Sequence, residues 1–228
     1  GCDVGIQRQS GHLPYPGDGD QSNLADTYFG RGNSQVTCGV TIIGNTLSNT
    51  IDTRDVPASA GSGLVTNLNT STSYCTIQAA VNAATAGDVI EAGTGTYNER
   101  VVIDKSLTLQ GVSESGTILD GTGLVGNGKG ITINNGITNV TIKKLTVQDY
   151  AGASGNADAG IYGIGGNNNL TVQNVSILNN VGGSGFYANG PVNTVLIDSV
   201  TSTGHKVGAR GIVIWNGLKE NITIMDCH

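Results

Sequence analysis

Leu107-Thr108-Leu109 is the first of five copies of one short strand pattern, in which two apolar residues flank a central one. The other copies are Val140-Thr141-Ile142, Leu170-Thr171-Val172, Val195-Leu196-Ile197 and Ile222-Thr223-Ile224. Successive copies begin 33, 30, 25 and 27 residues apart. A repeat of this length, built from strands rather than helices, predicts a solenoid in which each repeat stacks on the one before it.

Two further apolar segments accompany the copies, one before and one after. Each preceding segment follows a glycine, which suits a corner of the backbone, and these segments begin at Ile131, Ile161, Phe186 and Ile212. The following segments begin at Leu145, Val175 and Val200. Asparagine, which suits turns, occurs between segments at Asn139, Asn169, Asn174 and Asn221. Three strands per coil, with side chains alternating inward and outward, predict an all-β, three-sided parallel β-helix.

The chain divides into two regions at about residue 75. Residues 1–74 are rich in Gly, Asn, Ser, Thr and Asp, and we expect them to be irregular or extended. Residues 75–228 contain the repeats and are assigned to the β-helix. At their start, Thr76 precedes a segment with apolar residues at helical spacing, which predicts a short helix that caps the N-terminal end of the solenoid. Because residues 226–228 stop partway through a coil, we expect the β-helix to be truncated at its C-terminal end.

The residues around the first copy resemble a known family. They are Thr76-Ile77-Gln78-Ala79-Ala80-Val81, Gly87-Asp88-Val89-Ile90, Gly95-Thr96-Tyr97-Asn98-Glu99 and Ile103-Asp104-Lys105-Ser106-Leu107-Thr108-Leu109-Gln110-Gly111. This opening resembles that of the pectin-lyase-like superfamily, and the resemblance implies a right-handed parallel β-helix. The same opening occurs in pectin esterases, polysaccharide lyases, NosD-like periplasmic proteins and bacterial surface proteins. The signature motifs of pectin esterases and pectate lyases are missing, so we expect either that the catalytic coils lie beyond His228 or that this branch has none. The low-charge composition, rich in Gly, Asn and Thr, resembles that of the bacterial surface proteins more than that of a secreted pectinase.

Composition excludes several classes of partner. The chain has 36 Gly among 228 residues, 12% charged residues and a net charge of −6. Negative charge argues against nucleic acid as the natural partner. No apolar run approaches the roughly 20 residues of a membrane-spanning helix, so we expect no membrane span. The expected partners are a polysaccharide or cell-surface glycan and the remainder of a longer polypeptide.

Three aromatic residues are candidates for glycan binding. In the superfamily, polysaccharide binds along one wall of the β-helix. If the segments that follow the glycines form that wall, its outward residues include Tyr162 and Tyr187, with Trp215 nearby. The two tyrosines would be neighbours about 4.8 Å apart. Aromatic rings on such a surface suit contact with sugars, although cross-strand packing would explain them equally well.

The loops beside that wall carry the candidate catalytic residues. A uronate lyase needs a base, for which Lys206 or Arg210 is a candidate, and a means of neutralising the carboxylate. Asp149 and Asp158 could hold a cation for that purpose. Solvated surface charges are the alternative explanation for all four.

Two further features lie in the N-terminal half. Of Cys2, Cys38 and Cys75, any two could pair; the predicted disulfide joins Cys38 to Cys75, as suits an exported protein. Asp18, Asp20 and Ser22 alternate like the first half of a calcium loop, so Ca²⁺ is a candidate cofactor, although an ordinary polar turn explains them too.

Together these features predict an exported bacterial β-helix module, secreted or at the cell surface, that acts as an adhesive scaffold and binds glycan. The alternative is a polysaccharide-degrading enzyme of the uronate lyase type. Whether the chain is an enzyme stays open at this level.

Overall fold

The computed structural model describes residues 64–152, 158–205 and 208–228. It is nearly all β, with 51% strand and 4% helix, and its strands form a solenoid of about four turns. The predicted all-β parallel β-helix is therefore confirmed. Residues 1–63 lie outside the described residues, so the prediction for 1–74 stays a prediction.

The described residues form one helix and fifteen strands. The helix is α1 (Ile77–Ala83), and the strands are β1 (Val65–Asn67), β2 (Thr72–Tyr74), β3 (Val89–Ala92), β4 (Gly95–Tyr97), β5 (Val101–Ile103), β6 (Leu107–Gly111), β7 (Thr117–Asp120), β8 (Ile131–Ile133), β9 (Val140–Gln148), β10 (Ala159–Gly163), β11 (Leu170–Leu178), β12 (Ser184–Asn189), β13 (Val192–Thr203), β14 (Ile212–Trp215) and β15 (Lys219–Met225).

These strands make two sheets. The larger has the order β15-β13-β11-β9-β6-β3-β1-β2, with β7 pairing both β4 and β9, and the smaller has the order β14-β12-β10-β8-β5. Strands of successive coils pair in parallel, whereas β1 pairs antiparallel with β2 and β3. Each sheet therefore runs along the solenoid and receives one strand from each successive coil.

The five copies of the strand pattern pair with one another residue by residue across the larger sheet. Their first residues pair in the order Leu107, Val140, Leu170, Val195 and Ile222. The first four are at most 2% exposed, and they belong to one continuous apolar core. The repeat read from the sequence is thus the repeat of the core.

One corner of the coil is made by a single residue. The first and third predicted strands are continuous in β9, β11 and β13, and each bends at a residue with positive φ: Lys144 (58°), Asn174 (52°) and Ser199 (54°). A left-handed residue redirects the chain without interrupting the pairing on either side. The third wall is therefore the bent half of the larger sheet.

A second corner precedes the copies of the strand pattern. It is occupied by Asn139 (φ 55°), Asn169 (55°), Thr194 (57°) and Asn221 (50°). Asparagine adopts this left-handed conformation more readily than most residues because its side chain can bond locally. The turn assignment of these asparagines is confirmed.

The glycines at the starts of β8, β10, β12 and β14 have another role than the one expected. Gly130, Gly160, Gly185 and Gly211 are absent from the positive-φ residues, so the expectation that they relax a corner was wrong. A Cβ on Gly130 would lie 2.7 Å from Tyr150 Cε2, and one on Gly160 would lie 2.7 Å from Asn180 Nδ2. These glycines leave room for side chains that fold back from the turns.

Helix α1 forms where the sequence predicted it. The Thr76 hydroxyl accepts a hydrogen bond from Ala79 N at 3.1 Å, and Ile77, Ala80 and Val81 are buried in the core. The Glu99 carboxylate accepts two more bonds, from Ile77 N at 2.8 Å and Gln78 N at 2.9 Å. The first turn of the helix is thereby fixed to the first coil.

In the last coil, side chains that continue the inward stacks of the core are partly exposed. Ile142, Val172 and Ile197 form an inward stack with 0% exposure, and Ile224, the next residue in that stack, is 49% exposed. Cys227 is half-buried, packs against the core and has a free thiol. The residues of this coil therefore contribute less apolar burial than their counterparts in earlier coils.

Candidate functional site

The outer face of the smaller sheet, named the Tyr wall here, contains the predicted aromatic pair. Tyr162 pairs in register with Thr132 on one side and Tyr187 on the other, and Tyr187 pairs with Val213. The rings of Tyr162 and Tyr187 are stacked, with centroids 5.6 Å apart and planes inclined by 11°. The structure thus brings these two candidates together, as register required.

The stacking leaves the edge of the Tyr162 ring, rather than its faces, for contact. Tyr187 covers one face of Tyr162, and Lys129 Nζ lies 4.3 Å from the centroid of the Tyr162 ring. Tyr162 is only 7% exposed. Burial, and to a lesser degree Tyr162, raises the pKa of Tyr187, so the Tyr187 phenol keeps its proton at neutral pH.

Trp215 lies at the end of β14, on the same sheet. It pairs in register with Asn189, two residues beyond the row that holds the tyrosines. Its side chain is 61% exposed, the largest exposed aromatic surface among the described residues. The Tyr wall therefore presents phenol edges on one row and an indole on the next.

Two cations occupy matching places beside the Tyr wall. Lys129 and Arg210 each directly precede a glycine of the stacked series, with Ala159 and Ser184 in the coils between them. Arg210 is exposed, and its backbone joins β12 through a bond from Gly185 N to Arg210 O of 3.1 Å. Lys206, the other candidate base, lies outside the described residues.

The two candidate carboxylates have different environments. Asp149 is half-buried at a corner and has a φ of 57°. Asp158 is fully buried, and its backbone carbonyl accepts a bond from Ser184 N at 3.0 Å. In the part of the chain that the structure describes, no group of three or more His, Cys, Asp or Glu residues could hold a metal ion. The catalytic roles of these residues stay predictions.

Sequence reasoning missed a ladder of polar side chains in the turns beside the Tyr wall. Each member directly follows a residue of left-handed conformation, and the members are Tyr150, Asn180 and His205, named the turn ladder here. Asn180 Oδ1 accepts a bond from Tyr150 N at 3.1 Å, and His205 Nδ1 accepts one from Asn180 N at 3.4 Å. The sequence does carry a signal for this ladder. In three successive coils, a residue type that suits a left-handed turn (Asp149, Asn179, Gly204) directly precedes a member of the ladder.

Ser202 and His205 are in contact without forming a nucleophilic pair. Ser202 Oγ lies 2.9 Å from His205 Nε2 and donates its proton to Gly211 O, also at 2.9 Å. The ring nitrogen must then donate to the serine oxygen, which is the reverse of what a general base does. This contact stabilises a turn and does not activate a hydroxyl.

The remaining candidates lie in or beside the N-terminal region. Cys75 is disulfide-bonded and buried, and Cys38, its predicted partner, lies outside the described residues. Asp18, Asp20 and Ser22, the candidate calcium ligands, lie outside them as well. The disulfide pairing and the calcium site therefore stay predictions.

One curated protein is similar to part of this chain. A cell surface glycoprotein of Methanothermus fervidus is 34% identical in an alignment of 109 residues that covers 40% of this chain and 18% of that protein. The chain thus spans about a fifth of the length of that relative. No family model matches the sequence. In the described part of the chain, no helix has the length and apolarity that crossing a membrane requires.

Two solved structures are similar to this chain in fold. A mannuronan C-5 epimerase A-module from Azotobacter vinelandii has 17% identity and a TM-score of 0.45 over 67% of this chain and 47% of its own. A pectin methylesterase from Erwinia chrysanthemi has 18% identity and a TM-score of 0.39 over 56% and 49%. The likeness is one of fold, and at these scores it carries no argument about activity.

Proposed function

We propose that this chain is a β-helix module of a cell-surface protein and that it binds glycan along the Tyr wall. The stacked Tyr162–Tyr187 pair is the observation that carries the proposal. An outward pair of aromatic rings on an otherwise aromatic-poor chain, with an exposed indole on the next row, is the composition of a carbohydrate contact surface. The similarity to a cell surface glycoprotein supports the location.

The geometry indicates how a glycan would be held. Because Lys129 and Tyr187 cover the faces of the Tyr162 ring, Tyr162 would contact sugar through its hydroxyl edge. The exposed indole of Trp215 would supply the stacking face. Stacking and hydrogen bonding would thus come from two adjacent rows of one rigid sheet.

Calorimetric titration with oligosaccharides of pectate, alginate and neutral glucans tests the proposal. We expect Trp215→Ala to weaken binding by about fivefold, since the contact of one aromatic ring contributes roughly 1 kcal/mol. Tyr162→Phe combined with Tyr187→Phe keeps the stack and should weaken binding through the loss of two hydroxyls. Leu68→Ala, an exposed apolar residue on the first coil, is the matched control and should bind normally.

Binding that is unchanged in both the Trp215 and the double Tyr variants would overturn the proposal. The same titrations also test the lyase alternative, because a lyase releases unsaturated products that absorb in the near ultraviolet. Product formation that is lost in Arg210→Ala would replace the scaffold assignment with an enzymatic one.

A further inference from the structure

His205 is the member of the turn ladder whose residue type has an ordinary pKa close to neutral pH. Tyr150 and Asn180 occupy the corresponding place in the two preceding coils, and each folds into the space left by a glycine. All three side chains therefore fill the space between a turn and the start of a strand. Of the three, only His205 changes its protonation state at ordinary pH, so only its packing depends on pH.

The hydrogen bonds around His205 specify one neutral tautomer. Asn180 N donates to Nδ1 at 3.4 Å, so Nδ1 must carry a lone pair. Since the Ser202 hydroxyl donates to Gly211 O, Nε2 must carry the proton that meets Ser202 Oγ. The imidazole is thus accepting on one side and donating on the other.

Protonation of Nδ1 would place an N–H group of the imidazole opposite the N–H group of Asn180, 3.4 Å away. The ring has little room to move away, because a Cβ built on Gly185 would already lie 2.6 Å from Nε2. The residues that lie against the ring, Ser202, Asn180 and Gly185, have no charge to compensate a cation. Burial lowers the pKa of His205, in agreement with this environment.

We propose that protonation of His205 detaches residues 208–211, together with β14, from the rest of the solenoid. Protonation removes the bond from Asn180 N to Nδ1, and displacement of the ring would disturb the path from Ser202 to Gly211, and from there to β12 through the bond from Phe186 N to Gly211 O of 2.8 Å. β14 carries Trp215, and Arg210 directly precedes Gly211. If the proposed glycan binding holds, on which this part of the inference rests, glycan bound near neutral pH would be released in acid.

The direction of the pH effect follows from the lowered pKa. A base whose pKa is lower in the folded than in the unfolded state stabilises the fold above its unfolded value of about 6.5. That contribution is lost as the pH falls below this value. The last coil should therefore open more often at pH 5.5 than at pH 7.5.

Hydrogen exchange by mass spectrometry on the full chain tests this without any glycan. After correction for intrinsic exchange, we expect peptides within residues 208–225 to exchange faster at pH 5.5, by at most about tenfold, because pH 5.5 lies about one unit below the unfolded pKa of about 6.5. Peptides within residues 107–142, which contain no histidine, are the internal control. Their corrected exchange should not change.

His205→Asn is the matched variant, because Asn180 already makes the same bond in the preceding coil without titrating. It should abolish the pH dependence of residues 208–225. A variant that responds to pH as strongly as the native chain, or a native chain that does not respond, would overturn the proposal. Should His205→Asn open this coil at both pH values, an NMR titration of native His205 decides, since a pKa at or above 6.5 contradicts the proposal. Loss of glycan binding alone would leave it standing.

Discussion

Left-handed residues determine where the chain turns at the residue scale. The described residues include twelve non-glycine positions with positive φ, and six of them are Asn. Because Asn bears this conformation at lower cost than other residues with a Cβ, its frequency at the corners has a conformational cause. Thr194 is the exception, since a β-branched residue at φ 57° interrupts a series otherwise made of Asn.

Thr194→Asn should therefore stabilise the protein. The left-handed conformation costs an ordinary residue about 1–2 kcal/mol, part of which Asn recovers, so we expect a gain of about 0.5–1 kcal/mol in the free energy of unfolding. Urea unfolding followed by circular dichroism measures it. Asn169→Thr, the reverse change one coil earlier, should cost a similar amount. A loss of stability in Thr194→Asn would contradict the conformational explanation.

At the scale of elements, side chains from the turns pack into notches, the spaces left by glycines at the strand starts. The side chains of Tyr150, Asn180 and His205 fold back against the starts of β8, β10 and β12, where glycine removes the Cβ that would collide with them. The turn ladder and the strand starts are therefore one packing unit. Tyr150 reaches furthest, since its hydroxyl bonds to Glu99 O at 2.5 Å and so connects coils 51 residues apart.

Gly160→Ala tests this packing unit. The added methyl would lie 2.5 Å from Ile177 Cγ2 and 2.7 Å from Asn180 Nδ2, so we expect a loss of about 1–3 kcal/mol in the free energy of unfolding. Combining it with Asn180→Ala should recover part of that loss, because one of the two collisions disappears. Strictly additive effects in the double mutant would show that Asn180 does not occupy the notch.

Across the whole molecule, stability depends on each coil covering the next. Neighbouring coils supply nearly all the contacts of a solenoid, so the same residue contributes differently at different positions along the axis. The inward stack that contains Ile142, Ile197 and Ile224 shows this directly, since exposure rises from 0% to 49% at its end.

Ile142→Ala and Ile224→Ala form a matched pair for this effect. We expect Ile142→Ala to cost about 2–5 kcal/mol, the range for a fully buried isoleucine. Ile224→Ala should cost well under half as much, because its side chain is already half in water. Hydrogen exchange of β9 and β15 measures the two effects locally. Equal losses in the free energy of unfolding would contradict the conclusion that each coil is stabilised by the coil that covers it.

The sequence alone determined the solenoid, its repeat and the Tyr162–Tyr187 pairing, because a period-two pattern repeated at coil length leaves only one register that buries every apolar row. Only the tertiary structure decided what the glycines before the strands accommodate and which faces of the tyrosine rings are covered. Those properties depend on contacts between residues of neighbouring coils, such as Lys129 with Tyr162 and Asn180 with Gly160. Such contacts come from side-chain directions at the corners, which periodicity does not encode.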